Sequence, residues 1–275
     1  MPAVAAARPV APAVAEPVIE IQTVEENAAP EPAFITMEEA LARAPKPLAI
    51  SEIFSSIQGE GQYVGVPSTF IRLAGCNLRC VWCDTPYTSW KPDGASDWMM
   101  GGILGQVRRF GNRHVVVTGG EPMLQDTVVL LTKRLREDSA FITIETAGTI
   151  YQPVVCDLMS ISPKLANSVP KHREGGRWAV RHESLRYNPA VLKKLMTEYD
   201  YQLKFVVQNP EDIEEVRKIV EETGAVAEKV QLMGEGTDPV TLFERAQWIT
   251  EVCKNLGYRY TPRLHIDLWG NERGK

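Results

Sequence analysis

The sequence predicts an α/β fold. Parallel strands joined by crossover helices build an open or closed barrel, set behind a disordered N-terminal extension. Three observations predict it. From about residue 48 onward, short β-branched runs alternate with stretches of helical apolar periodicity. The strand-like runs are continuously apolar, as in strands covered on both faces. Residues 1 to about 34 are rich in Ala, Pro, Val and Glu, with Phe34 the one aromatic residue, and such a composition buries too little apolar surface to offset its ordering entropy.

The elements follow in order. Residues 36–44 predict a short helix, because Thr36 and Glu39 occupy capping-box positions. Pro45 and Pro47 stop it. The extension with this helix covers residues 1–47 and the folded domain residues 48–275. Residues 68–73 (STFIRL) and 114–117 (HVVV) read as strands. Val128, Val129, Leu131 and Leu135 give helical spacing to residues 126–137. Strands follow at 141–144 and 154–161, then a helix at 190–199 and a strand at 203–207 (LKFVV). A helix at 210–222 has Asn209 as its expected cap, Pro210 at its first position and Gly224 as its stop. A strand at 229–233, a helix at 240–256 and a last strand at 264–268 complete the chain. In such barrels reactive groups collect at the C-terminal ends of the strands, where the informative loops fall.

The 275 residues are 44% hydrophobic and 24% charged, enough for one sizeable domain, or one domain plus a tail. A formal net charge of -5 gives no basic surface for nucleic acid. No stretch approaches the roughly 18 apolar residues of a membrane span. The N-terminus is broken by Pro9, Pro12 and Pro17 and does not read as a secretory signal. A cytoplasmic protein without membrane or nucleic-acid partners is expected. There are five cysteines, three of them within eight residues. That pattern is a metal or cluster site in a reducing compartment rather than a disulfide framework.

The three are Cys76, Cys80 and Cys83, spaced Cys-x3-Cys-x2-Cys just after the strand ending at Leu73. Three thiolates on one loop can hold three irons of a [4Fe-4S] cube and leave the fourth open to a cofactor's own donor atoms. A cube closed by four cysteines would serve electron transfer instead. Cys156 in an apolar strand and Cys253 on a long helix read as inert thiols. A structural zinc site would want four Cys/His ligands, and His114, His172, His182 and His265 are not paired near the loop. A thioredoxin-like dithiol would leave Cys76 idle.

The cysteine loop resembles the signature of the radical S-adenosylmethionine (SAM) superfamily. So does Thr118-Gly119-Gly120-Glu121-Pro122, directly after the strand at 114–117. Within the superfamily the likeness is to the 7-carboxy-7-deazaguanine synthase family, from Ile50 to the C-terminus. It is sharpest at residues 52–61 (EIFSSIQGEG), at residues 65–75 (GVPSTFIRLAG) and at Cys83-Asp84-Thr85. The Ala/Pro-rich extension is not part of the family core. Residues 165–189 form a longer polar connection than that core requires, a lid or a solvated surface loop. The C-terminal segment 263–269 also resembles some members, and His265 reads as a structural histidine rather than a catalytic one.

The resemblance implies a partial, open parallel β/α barrel and a lyase with three cofactors: a [4Fe-4S] cluster, SAM and Mg²⁺. It implies SAM contacts at Trp82, Cys83, Asp84, Gly120, Glu121, Glu145, Ser162, Pro163, Lys164, Gln231, Leu232, Met233 and Gly234. Glu121 would offer an acceptor to the methionyl ammonium. Thr85 matches the Mg²⁺ ligand, an ion that keeps part of its water shell. The substrate implied is 6-carboxy-5,6,7,8-tetrahydropterin, met by Ile57, Gln58, Gly59 and Thr118, with Arg72 pairing its carboxylate. A radical made from SAM would remove hydrogen at C6, and the ring would contract with loss of ammonia, toward queuosine. An external one-electron donor of the flavodoxin or ferredoxin type and a homodimer are implied as partners. Two other readings compete. A glycyl-radical activase would share the cysteine loop but not the segment Gln58-Gly59-Glu60. An electron-carrying or zinc-binding module would lack use for residues 118–122.

Overall fold

The computed structural model describes residues 34–90 and 92–275. The disorder expected for residues 1–33 lies outside the described residues. Helix α1 (Met37–Ala42) begins with the expected reciprocal cap. The Thr36 hydroxyl accepts the Glu39 N–H at 3.2 Å, and the Glu39 carboxylate accepts the Thr36 N–H at 2.7 Å. Phe34, Ile35, Met37 and Leu41 pack against the main core.

Strand β1 (Leu48–Ile57) pairs antiparallel with β2 (Pro67–Leu73). After the cysteine loop come α2 (Pro86–Ser89), β3 (Ser96–Trp98) and α3 (Met100–Phe110). Then β4 (His114–Gly119), α4 (Val128–Glu137), β5 (Phe141–Thr146) and β6 (Leu158–Ile161) follow. Helices α5 (Ala179–Arg186) and α6 (Pro189–Glu198) lead to β7 (Tyr201–Val207) and α7 (Asp212–Thr223). The chain ends with β8 (Val230–Gly234), α8 (Pro239–Leu256), β9 (Arg259–Tyr260) and α9 (Leu264–Trp269).

Among the described residues one nine-stranded sheet has the order β3-β1-β2-β4-β5-β6-β7-β8-β9. Its end strands β3 and β9 do not pair with each other, so the barrel is open. From β2 to β9 every pairing is parallel, and β1 alone runs against the rest. The expected all-parallel sheet is thus corrected at one edge: no strand was expected before residue 68. Residues after β1 fill the curve of the sheet. Gly61 N–H donates to Thr261 Oγ1 at 2.7 Å and Gln62 N–H to Gln202 Oε1 at 2.9 Å. Tyr63 meets His114 and Phe141, the first residues of β4 and β5, edge-on. That plug carries Gln58, Gly59 and Glu60 into the barrel interior.

Four further expectations are corrected. Residues 264–268 form a helix, not a strand. Thr261 N–H is the last to reach β8, at Leu232 O. Pro262 has no N–H to extend the ladder, and the Leu264 N–H turns to Gly59 O at 2.9 Å. Buried Arg263 and Ile266, three apart, then face inward. The strand at 154–161 shortens to β6 because Val155 N–H is taken by the Thr132 hydroxyl. Asn209 does not cap α7. The Asp212 carboxylate accepts the Gln208 and Asn209 N–H groups, and the helix starts later. Residues 165–189 are not a bare loop but contain α5.

Candidate active site

The C-terminal ends of β2, β4, β5, β6, β7 and β8 deliver side chains to two adjoining cavities, of about 460 and 170 Å³. Glu60, Asp84, Thr85, Thr118, Gly119 and Glu145 line both and form their common wall.

Cys76, Cys80 and Cys83 all reach the smaller cavity as free thiols. Leu78, Cys80 and Ala147 form an apolar patch there, backed by Trp82 and Leu185. Burial pushes the Cys80 thiol up to about 12 and the Cys76 thiol up to about 11. Thiols in such surroundings give up their protons only against a local positive charge, which iron supplies. Among the described residues no three His, Cys, Asp or Glu side chains converge as ligands of a single ion. A cube makes no such demand, since each thiolate takes a different iron. The donor set therefore fits a cluster.

The glycines of the Thr118–Pro122 loop serve this loop directly. Gly120 N–H donates to Leu73 O at 3.0 Å and Glu121 N–H to Gly75 O at 2.9 Å. A Cβ on Gly120 would lie 2.0 Å from Gly75 O, and one on Gly119 2.1 Å from Leu73 O. Only glycine lets the two loops touch. Glu121 is wholly buried and does not line either cavity. It accepts from Met123 N–H at 3.1 Å, the Thr146 hydroxyl at 2.8 Å and Ala147 N–H at 2.8 Å. Burial raises its pKa against these donors. Its carboxyl thus ties the loop after β4 to the end of β5.

Trp82, Ser162, Lys164 and Met233 line the smaller cavity with Gly120. Lys164 Nζ donates to Ser162 O at 2.7 Å and to its hydroxyl at 2.9 Å. Pro163, Gln231, Leu232 and Gly234 do not line it. Gln231 and Leu232 point into the protein, because β8 is covered on both faces. Gly234 packs against the Arg245 side chain.

Ile57, Gln58, Gly59, Arg72 and Thr118 all line the larger cavity. Gln58 Nε2 donates to Glu145 Oε1 at 3.0 Å, and the Thr118 hydroxyl donates to Oε2 at 2.8 Å. Arg72 Nε lies 2.7 Å from Glu52, while its guanidinium sits over the Phe54 ring, itself stacked on Phe70. Arg273 approaches the same Glu52 at 3.2 Å, and Tyr87 donates to it at 3.0 Å. Two guanidiniums thus share one carboxylate at this end. Thr85 Oγ1 stands 4.0 Å from Cys83 Sγ at the junction of the cavities.

A charged network absent from the sequence reading closes the wall. Glu60 pairs with Lys204 and, at 3.1 Å, with Arg263 Nε. Arg263 also pairs with Asp84 and donates to Gly236 O at 2.6 Å. Burial alone would raise the Glu60 carboxyl, but Lys204 and Arg263 outweigh it and hold it well below the usual range. Against the same burial effect Arg263 also lowers Asp84. Two signals for it stood in the sequence: Lys204 in an otherwise apolar strand, and Arg263 directly after Pro262. The His265 ring packs on Gly59, where a Cβ would lie 2.0 Å from Nδ1.

Residues 70–167 match the model of the radical SAM superfamily. A 7-carboxy-7-deazaguanine synthase from Halobacterium salinarum is 43% identical over 82% of this chain and 91% of its own length. One from Rhodopirellula baltica is 40% identical over 82% and 88%. The crystal structure of QueE from Escherichia coli superposes with a TM-score of 0.60 at 25% identity, covering 80% of this chain and 95% of that one. A cysteine loop and a glycine loop locked together at the mouth of an open barrel, with this identity across most of both chains, establish that the chain belongs to the 7-carboxy-7-deazaguanine synthase family of radical SAM enzymes.

Proposed function

We propose that this chain is a radical SAM lyase that converts 6-carboxy-5,6,7,8-tetrahydropterin to 7-carboxy-7-deazaguanine with loss of ammonia, in the supply of queuosine precursors. The observation that carries it is the common wall: a cavity with three cysteines opens directly against one with a guanidinium pair and a polar edge.

Membership in the family brings a [4Fe-4S] cluster and SAM. Cys76, Cys80 and Cys83 would hold the cluster, with Trp82, Gly120, Ser162, Lys164 and Met233 around the cofactor. Bound together, these groups supply a one-electron cleavage that yields a hydrogen-abstracting radical. The protein's part is placement and shielding. Leu78 and Ala147 give the smaller cavity an apolar wall beside the cysteines. Arg72 and Arg273, which among the described residues share the one carboxylate of Glu52, leave positive charge for the substrate carboxylate. Gln58, Thr118 and Glu145, tied to one another, present donors and acceptors to the edge of a flat amide-bearing ring. Thr85 is a ligand suited to Mg²⁺, with substrate oxygens and waters completing its shell.

The remaining parts of the proposal are an external one-electron donor, a homodimer and a place in the cytoplasm, where reduced thiols persist. Among the described residues no helix is long and apolar enough to cross a membrane. The test is anaerobic turnover of reconstituted, reduced protein with SAM, Mg²⁺ and the tetrahydropterin, read by mass spectrometry. One 7-carboxy-7-deazaguanine and one ammonia per turnover, both lost in Cys76→Ala, support the reading. Cleavage of SAM without that product would remove the substrate assignment.

A further inference from the structure

The segment 165–189, longer than the family core requires, touches the cysteine loop at its backbone. The N–H groups of Arg79 and Val81 flank Cys80 on either side. Neither is bonded within the loop. Arg79 N–H donates to His182 Nδ1 at 3.0 Å, and Val81 N–H donates to Ser168 O at 2.8 Å. His182 and Ser168 are joined in turn, Nε2 to Oγ at 2.9 Å. The Ser168 hydroxyl gives its proton to Leu165 O at 2.6 Å, so it accepts from the ring. The imidazole is therefore neutral and carries its hydrogen on Nε2, which leaves the Nδ1 lone pair for Arg79. Burial, helped by the nearby Arg186, pushes the His182 pKa down to about 4 and keeps the ring in that form. The Arg79 guanidinium stacks 4.6 Å from the Trp178 ring, on the turn that leads into α5.

We propose that residues 166–186 clamp the cysteine loop before any cluster is bound, with His182 as the positioning residue that holds the Arg79 amide and, through the Ser168 hydroxyl, braces the residue that holds the Val81 amide. Two pinned amides on either side of a residue fix its backbone torsions and so the direction of its thiol. Both His182 and Ser168 are almost wholly buried, so water does not replace the lost partner cheaply. A loop held in this way enters cluster assembly with its ordering already done, and the same bonds oppose release of iron.

The inference rests on the cluster assignment above, and its test separates the two. Hydrogen exchange is followed by mass spectrometry in the cluster-free full chain over residues 76–83. In His182→Ala, exchange at the Arg79 amide, whose acceptor is lost, rises about tenfold, the equivalent of one lost buried hydrogen bond, and the Val81 amide, left on the Ser168 carbonyl, rises less. His182→Asn, whose Oδ1 can stand in for Nδ1, restores protection at Arg79. In reconstituted protein, iron leaves His182→Ala to a chelator several-fold faster than from the parent chain. Should His182→Ala not fold, Ser168→Ala removes the ring's acceptor and is read in the same way. A folded His182→Ala or Ser168→Ala chain with unchanged loop exchange and unchanged iron release overturns the proposal. Failure of the parent chain to bind a cluster, with the loop still protected, counts against the cluster assignment and leaves the clamp standing.

Discussion

Replacing Arg263 by Gln tests whether the buried charge network holds the wall between the cavities. Arg263 is 7% exposed and pairs with Glu60, Asp84 and the Gly236 carbonyl. In the variant Glu60 keeps Lys204, but Asp84 loses its cation. Removing one partner of a wholly buried pair costs about 3–5 kcal/mol. The Asp84 side chain is 34% exposed toward the cavity, and water there screens part of the loss, so about 2–3 kcal/mol is expected. The sign with pH follows from the same contacts. In the parent chain Arg263 lowers the Asp84 pKa against burial, so the pair's contribution is present above the ordinary carboxylate range and fades as pH falls through the lowered value. In the variant burial and the nearby Glu60 are opposed only by Arg72, Asp84 protonates more readily, and the deficit shrinks as pH falls. Urea unfolding of the cluster-free chain at pH 7.5 and pH 5 measures both. Asp84→Asn in the same chain should recover most of the loss, since no unpaired charge remains. A cost under about 1 kcal/mol at pH 7.5, or a double variant no more stable than Arg263→Gln, would refute the reasoning.

Three further outcomes are expected. Gly120→Ala places a Cβ 2.0 Å from the Gly75 carbonyl oxygen, a backbone atom that cannot swing aside. It should destabilise by about 1–3 kcal/mol and lower the iron content after reconstitution, measured colorimetrically. Glu121→Gln turns an NH₂ toward donors from Met123, Thr146 and Ala147, at a cost of about 1–3 kcal/mol seen as a lowered Tm. Arg72→Met keeps a side chain over Phe54 but removes the charge. KM for the tetrahydropterin should rise at least about tenfold in steady-state kinetics, with substrate-free SAM cleavage unchanged.

Local features were legible because each is written in a few adjacent residues. The spacing of Cys76, Cys80 and Cys83, the Thr36 cap and the Gly224 stop all act within a turn or two of chain. The Glu60 network was not, since its bonds to Lys204 and Arg263 span 144 and 203 residues. Glu121 shows a different limit. Its position after two glycines said nothing of the bonds that its oxygens accept from Thr146 and Ala147, 25 and 26 residues on. Residues 264–268 alternate like a strand, and only the missing N–H of Pro262 and the already used edge of β8 turn them into a helix. Strand β1 escaped notice because polar Ser51, Glu52, Ser55 and Ser56 interrupt its apolar run. Most of them lie beyond the short stretch that β3 covers, residues 48–50, where β1 has β2 as its one neighbour in the sheet.

The central claim is that the two cavities form one site, in which SAM held beside the cysteines would take hydrogen from a substrate held beside Arg72. It is tested most directly with 6-carboxy-5,6,7,8-tetrahydropterin deuterated at C6, by measuring deuterium in the recovered SAM and in any 5′-deoxyadenosine released. Loss of ammonia leaves the oxidation level unchanged, so the abstracted hydrogen is free to return and SAM to re-form. The account predicts deuterium at the 5′-carbon of SAM or 5′-deoxyadenosine alongside 7-carboxy-7-deazaguanine, with both absent in Cys80→Ala. Full product formation with neither molecule labelled would contradict it.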